Sequence, residues 1–509
     1  MKITLVRPPT VLLHNSSLQD AVPPIGLAYL ASSLKQAGHE VVGIDALGEG
    51  IEQWGKVDDW PEVTRHGLPI PTLIQRIPAD SQLIGVNCMF SATWPYVHTV
   101  LQAIREAFPN VPIVVGGEHI TAVPEYVLDT CPAVDYCIKG EGERAIVMLT
   151  EALSETSDPE EISQRVPGIV LRVNGRVVHG INAKRIRDVG NIPKPDWTVF
   201  PIQIFLDGGY QHGVDRGRSM PILASRGCPY KCTFCSSPQM WTTLWRARPP
   251  ADVVNEMKEY IEKYHVENFD FYDLTAIIKK AWIIEFCKKV IEELPPIKWQ
   301  LASGTRSEAL DEETAKYLYD SGCCNIIYAP ESANIKTLAL IKKKVVPKKI
   351  LASMRAACKN NLEVKANILI GFPGERKRDT LPNTVFFIKM AWIGVQDATC
   401  FPFSPYPGSE LFQQLINDGR IKLDDDYLRS LFNYQPLNKT DSYSEYMSDK
   451  FVTYCTVFNM LVFYAFSFLF RPIRAWHLFN NLFIKKKPVS RVEVALFRMM
   501  QRSKQKLPD

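Results

Sequence analysis

The stretch PILASRGCPYKCTFCSS, residues 221–237, sets a short apolar run against three cysteines spaced C-x3-C-x2-C: Cys228, Cys232 and Cys235. The apolar run reads as a strand and the residues after the last cysteine as a helix, so the thiols fall on a strand–helix turn. The same alternation continues downstream. NFDFYD (268–273), KWQLAS (298–303), NIIYAPE (325–331), VKANILIG (364–371) and DATCFPFS (397–404) read as strands. Helices are expected to start near Pro250, Lys280, Asp311, Pro347 and Asp379. Six βα-type repeats predict a parallel barrel, open or closed, with its site at the carboxyl ends of the strands. Thiolates are soft ligands that suit iron–sulfur clusters or zinc. A structural zinc takes four ligands, and the next Cys or His after Cys235 is His265. Three thiolates fit a [4Fe-4S] cluster with one iron left open. Zinc and unligated core cysteines are the alternatives. Arg226 and Lys231 stand where they would help hold an anionic cluster.

Upstream, strands are expected at Ile3–Arg7, Glu40–Leu47, Leu83–Met89, Ile113–Gly116 and Asp135–Lys139, separated by helical stretches. That pattern predicts right-handed βαβ units and a second parallel sheet, covered on both faces. Residues 168–180 read as a hairpin turning at Asn174-Gly175, and 181–220 as a Pro-, Asp- and Gly-rich linker. The chain has 509 residues, 22% charged and 46% apolar, which excludes a disordered protein. Its net charge of +4, from 59 basic and 55 acidic residues, demands no nucleic-acid partner. Twelve cysteines are too sparse for a disulfide scaffold. The opening MKITLVRPP is too short an apolar run for a signal peptide, so a cytoplasmic location is expected.

RGCPYKCTFCSS, with Phe234 ahead of the last cysteine, resembles the signature of the radical S-adenosylmethionine (SAM) superfamily. The resemblance implies a [4Fe-4S] cluster whose open iron binds SAM and cleaves it to a 5′-deoxyadenosyl radical. It also implies roles for later residues. Asp273 would meet the SAM amino group, or else be a helix cap at the strand end. Arg306 would lie near the cofactors, or be a solvated arginine. Glu331, in YAPESAN, would bind the SAM ribose or amine. GFPGE (371–375) and PYPGSELF (405–412) resemble segments that shape the barrel mouth.

PPIGLAYLASSLKQAGHEVVGIDALGEG (23–50) resembles the B12-binding domain of one class of these enzymes. Where domains with a histidine ligand carry D-x-H-x-x-G, this chain has Asp45, Leu47 and Gly50. The resemblance therefore implies cobalamin bound base-off, without a protein His ligand. It also implies ligand-facing positions at Ser91, Thr93, Gly116, Gly117, Glu118, Gly140 and Glu141. The alternative is a flavodoxin-like domain holding nothing or another nucleotide.

The expected fold is α/β: a Rossmann-like cobalamin-binding sheet (1–155), hairpin and linker (156–219), a partial (β/α)6 TIM-like radical SAM barrel (220–410) and a mainly helical extension (411–509). The expected activity is methylation of an unactivated carbon, with oxidative cyclisation or ring rearrangement, or a corrinoid sensor, as alternatives. The expected partners are a small hydrophobic substrate and a reductant such as flavodoxin or ferredoxin. FVTYCTVFNMLVFYAFSFLF (451–470) has no charge and is followed by Arg471, Arg474 and Lys485-Lys486-Lys487. It reads as an interfacial helix at the inner face of a membrane, a spanning helix, or a buried cap on the barrel.

Overall fold

The computed structural model describes residues 1–14, 21–183, 185–214, 216–306, 310–434, 440–486 and 493. The central strands of the first sheet are buried on both sides, as a sheet covered by helices on two faces requires. Its members are β1 (Lys2–Arg7), β2 (Glu40–Asp45), β3 (Leu83–Asn87), β4 (Ile113–Gly116), β5 (Tyr136–Ile138), β6 (Ile169–Val173) and β7 (Arg176–His179). Helices α1 (Ile25–Gln36) and α2 (Trp94–Ala107) carry crossovers, and α3 (Gly142–Glu155) follows β5.

The spatial order is β7-β6-β5-β4-β3-β1-β2, parallel through β5. The run β2-β1-β3-β4-β5 reverses between β1 and β3, and a doubly wound sheet opens its ligand crevice at that reversal, at the carboxyl ends of its strands. The hairpin β6–β7 is not a separate unit. β6 pairs antiparallel with β5, Tyr136 opposite Leu171, and buries Ile169, Val170 and Leu171. A small antiparallel sheet of Thr10–Leu13, Trp54–Lys56 and Val63–His66, which no sequence pattern announced, packs against α2 through Thr10–Leu13.

The second sheet runs in chain order, all parallel: β8 (Ser219–Ile222), β9 (Asn268–Phe271), β10 (Lys298–Thr305), β11 (Cys323–Glu331), β12 (Glu363–Ile370) and β13 (Asp397–Pro402). Among the described residues β8 and β13 do not pair, so the barrel is open. Its outer helices are α4 (Pro250–Tyr264), α5 (Lys280–Glu293), α6 (Glu312–Asp320), α7 (Pro347–Lys359) and α8 (Leu381–Ile393). One apolar core runs through both sheets, with Leu5 and Leu27 in the same cluster as Val253 and Phe269. The linker is part of it. Trp197 is buried, and its indole N–H donates to the Tyr260 hydroxyl at 3.1 Å.

Helix α9 (Asp449–Phe470) lies along α8 and β13, and α10 (Ile473–Phe479) follows it. The segment packs on the barrel through one face only: Val452 and Phe463 are buried, whereas Tyr454 and Leu469 are 77% and 68% exposed. Lys487 lies outside the described residues.

Candidate active site

The cysteine turn is fixed by its neighbours on three sides. Gly227 opens it at φ +88, and a Cβ there would stand 2.3 Å from the Leu244 carbonyl oxygen, so only glycine fits. In the middle, the Thr233 N–H donates to Ile341 O at 3.1 Å, and Thr233 O accepts from Leu411 N–H at 2.8 Å. Phe234 packs on Phe372 of the GFPGE segment, ring centroids 5.8 Å apart. The Glu375 carboxylate closes that segment by accepting the N–H groups of Gly371 (2.8 Å) and Phe372 (3.3 Å). All three cysteines are free and half-buried.

Cations crowd the same turn. Lys343 donates to Glu331 at 3.0 Å with both side chains buried, and its ammonium lies 5.7 Å from the Phe234 ring centre. Arg306, also buried, stacks 3.5 Å over the Tyr230 ring and donates to the Lys344 carbonyl. Burial pushes the Cys232 thiol up to about 11, while Lys343 and Arg306 pull it down. Thiols beside two buried cations fit an anionic thiolate-bound group. Three soft thiol donors on one turn are the donor set of an iron–sulfur cluster with one iron left open.

Asp273, two residues past β9, is buried. Its carboxylate accepts the Ala224 N–H at 3.0 Å and the Ser225 hydroxyl. Both oxygens are engaged by the chain itself, which ties the end of β9 to the segment that leads into the cysteines. It also explains why the first barrel strand is shorter than ILASR. Asp273 pulls Ala224 out of the ladder after Ile222, and Ser225–Arg226 pairs with Arg246–Ala247 instead.

Arg226 likewise departs from expectation. Its guanidinium is engaged by Glu141 (3.2 Å) and Glu143 (2.5 Å) at the start of α3, not reserved for an anionic cluster. Glu141, expected to face a ligand, is held from the other side by Arg185 at 2.8 Å and by the Ile186 N–H. Burial of this carboxylate drives the pairing, since an ionised side chain out of water must meet its opposite charge.

These ion pairs cross between the two sheets, and other contacts do the same. Glu118, after β4, bonds the Ser236 hydroxyl next to Cys235. A Cβ on Gly408, of PYPGSELF, would stand 2.9 Å from the Ala122 Cβ. The carboxyl ends of the two sheets therefore face each other, with the cysteine turn between them.

On the first sheet's side, Asp45 caps the short helix Ala46–Glu49, accepting Gly48 N–H at 2.9 Å, with Arg7 at 3.5 Å. Leu47 is 1% exposed and offers no lone pair. Gly50 is sterically required, because a Cβ there would lie 2.3 Å from Leu68 N. Gly117, at φ +121, would put a Cβ 2.3 Å from the Cys88 carbonyl, whereas a Cβ on Gly116 would meet nothing nearer than 4.0 Å. The backbone at Gly116 is thus open to a close approach. The Ser91 hydroxyl pairs with His119 Nδ1 at 3.0 Å, and burial lowers that histidine to about 3, so it stays neutral. Thr93 donates to Phe90 O, and Gly140 N–H donates to the Thr121 hydroxyl at 2.9 Å.

Sequence reading missed Met89 and Phe90, which stand 43% and 65% exposed at the end of β3 beside the crevice. Exposed apolar side chains at a ligand crevice are the signal, and only burial reveals it. Together with open Gly116, they fit a broad apolar face such as a corrin ring.

Residues 13–150 match the model of the B12-binding domain, and residues 222–384 that of the radical SAM superfamily. The chain belongs to the radical SAM enzymes that carry a B12-binding domain. An uncharacterized methyltransferase of Pyrococcus horikoshii is 29% identical over 82% of this chain and 83% of its own length. The anaerobic magnesium-protoporphyrin IX monomethyl ester cyclase of Cereibacter sphaeroides is 27% identical over 82% of this chain, which spans 64% of that relative. In fold, the radical SAM enzyme superposes on the methyltransferase TsrM from Kitasatospora setae, solved with cobalamin and a [4Fe-4S] cluster. The TM-score is 0.64 at 17% identity, covering 85% of each chain.

Proposed function

We propose that this cobalamin-dependent radical SAM enzyme methylates an unactivated carbon of a hydrophobic small molecule. The observation that carries the reading is the cysteine turn clamped between the carboxyl ends of two parallel sheets. When bound, a [4Fe-4S] cluster supplies the electron that cleaves SAM, and a corrinoid supplies a methyl carrier.

The chain's own residues hold, orient and exclude water. Cys228, Cys232 and Cys235 would hold the cluster, with Lys343 and Arg306 beside them to offset its charge. Glu331, positioned by Lys343, faces the same turn and is suited to a SAM hydroxyl or amine. Gly116 lets a flat ring approach the backbone, with Met89 and Phe90 as an apolar flank. Leu47, where a ligating histidine stands in other B12 domains, supports cobalamin held base-off. Half-buried thiols with the exposed Lys231 between them suit electron delivery by a small acidic protein such as flavodoxin or ferredoxin. The exposed apolar helices suit a cytoplasmic enzyme meeting the inner face of a membrane through 451–487.

The similarity to the anaerobic cyclase supports a second reading, an oxidative ring closure without methyl transfer. Methyl-labelled SAM separates the two. Label in the product, with 5′-deoxyadenosine formed alongside, is expected for methylation. 5′-Deoxyadenosine with an unlabelled, oxidised product would establish cyclisation.

A further inference from the structure

Helix α9 has two stripes of opposite fate. Val452, Thr456, Asn459, Phe463 and Ser467 are buried on the barrel. The stripe two residues on, Tyr454, Phe458, Leu461 and Leu469, is 77%, 54%, 64% and 68% exposed. Two residues turn a helix by about 200°, so this second stripe points straight away from the barrel. Helix α8 extends it with Leu381, Val385 and Trp392, each at least half exposed. The Trp392 ring meets Phe470 at 4.9 Å, joining the two helices' outer faces. Ile473 and Trp476 of α10 continue the same apolar character at 59% and 56% exposure. Singly exposed apolar residues are ordinary, but a face spread over three helices marks an interaction surface.

The buried side of α9 says how such a surface must be used. Asn459 accepts from the Thr384 hydroxyl at 2.7 Å, and Tyr464 donates to Asp397 at 2.6 Å. Arg471 and Arg474 donate to the carbonyls of Ala391, Trp392, Gly394 and Val395, closing the end of α8. A helix fastened by these bonds cannot cross a bilayer without stripping polar groups bare in hydrocarbon. It can lie flat.

Charge selects the occupant. From residue 450 to 492 there is no Asp or Glu, while Lys450, Arg471, Arg474, Lys485, Lys486, Lys487 and Arg491 are basic. Lys389 on α8 is exposed beside the face. A second copy docked here would set these cations against their own kind, whereas anionic lipid headgroups complement them. Trp and Tyr at the rim are the side chains that favour the bilayer–water boundary.

We infer that α8, α9 and α10 form one platform that seats on an anionic lipid leaflet, with α9 in the plane of the surface and the barrel docked on its β13 edge. The inference rests on the reading of 451–487 as a membrane contact and uses nothing of the methylation chemistry. What it adds is α8, a helix of the barrel itself.

Co-sedimentation of the full-length holoenzyme with vesicles tests it, comparing pure phosphatidylcholine with phosphatidylcholine containing phosphatidylglycerol. Three paired variants are used: Leu461→Glu/Leu469→Glu, Lys485→Glu/Lys486→Glu, and Leu381→Glu/Val385→Glu. All six side chains are exposed, and unchanged circular dichroism and SAM cleavage confirm the fold. Binding at least tenfold tighter to the anionic vesicles, weakened at least tenfold by each pair, is expected. Wild-type binding that ignores Leu381→Glu/Val385→Glu would overturn the platform while leaving the segment's membrane contact standing. No wild-type binding to either vesicle would remove both. A dimer dissolved by Leu461→Glu/Leu469→Glu, without vesicle binding, would assign the face to a second copy and overturn the proposal.

Discussion

Arg226→Gln lowers the stability of the protein by about 3–5 kcal/mol, the range for removing one partner from a buried ion pair. The guanidinium is 6% exposed, between Glu141 and Glu143, with the Tyr29 ring 5.0 Å away. Its loss leaves Glu143 a buried carboxylate without its cation, while Glu141 keeps Arg185. Burial pushes Glu143 up, but the Arg226 guanidinium outweighs it and holds the carboxyl below its ordinary value. A depressed carboxyl stabilises the fold above its unfolded pKa, and that contribution fades as pH falls through the folded one. The gap between wild type and variant is therefore full at neutral pH and closes under acid, below the unfolded value of 4.5. Urea midpoints across pH measure it. A gap that stays constant into acid would mean that the charge pairing is not what joins the sheets. Because Arg226 stands two residues before Cys228, the variant is also expected to reconstitute with less iron.

Asp273 carries the second large effect, with the opposite pH dependence. Burial raises its carboxyl from 3.8 to about 6, while Ser225 and Ala224 pull it back. A shift of about 2 units corresponds to about 3 kcal/mol. Here the folded value lies above the unfolded one. The stabilisation is complete below 3.8 and is lost as pH rises through about 6. Asp273→Asn keeps a carbonyl for the Ala224 N–H and cannot ionise. Relative to this variant, the wild type is expected to lose about 3 kcal/mol between pH 4 and 7. Stability curves of the two proteins that run parallel would refute the buried ionisation. Asp273→Ala strands the buried Ala224 N–H, at about 1–3 kcal/mol at every pH. It also frees the strand that leads into the cysteines.

Periodicity and turn chemistry placed nearly every strand and helix of both sheets within a few residues, because central parallel strands are continuous apolar runs with clear punctuation. The cysteine triplet was legible for the same reason, being local. What escaped was set by distant contacts. ILASR reads as one strand, yet Asp273 breaks it from 49 residues away. The hairpin 168–180 reads as part of the stretch between the two domains, yet it completes the first sheet by covering β5. Glu141 and Arg226 each looked ready for a ligand and instead engage one another across 85 residues. Lys343, inside a run of three lysines, has no pattern that separates it from a surface cation, and only Glu331 beside it reveals its place. The exposure of Phe90 and of the outer α9 stripe is invisible in composition, since an apolar residue is written the same way whether buried or bare.

The central claim is a cluster held by three thiolates beside a corrinoid, and anaerobic reconstitution followed by metal counting tests it most directly. About four irons and one cobalt per chain are expected. In the variant with Cys228, Cys232 and Cys235 all changed to alanine, the iron and the cleavage of SAM to 5′-deoxyadenosine are expected to vanish while the cobalt remains. Iron retained in that variant, or SAM still cleaved by it, would contradict the account.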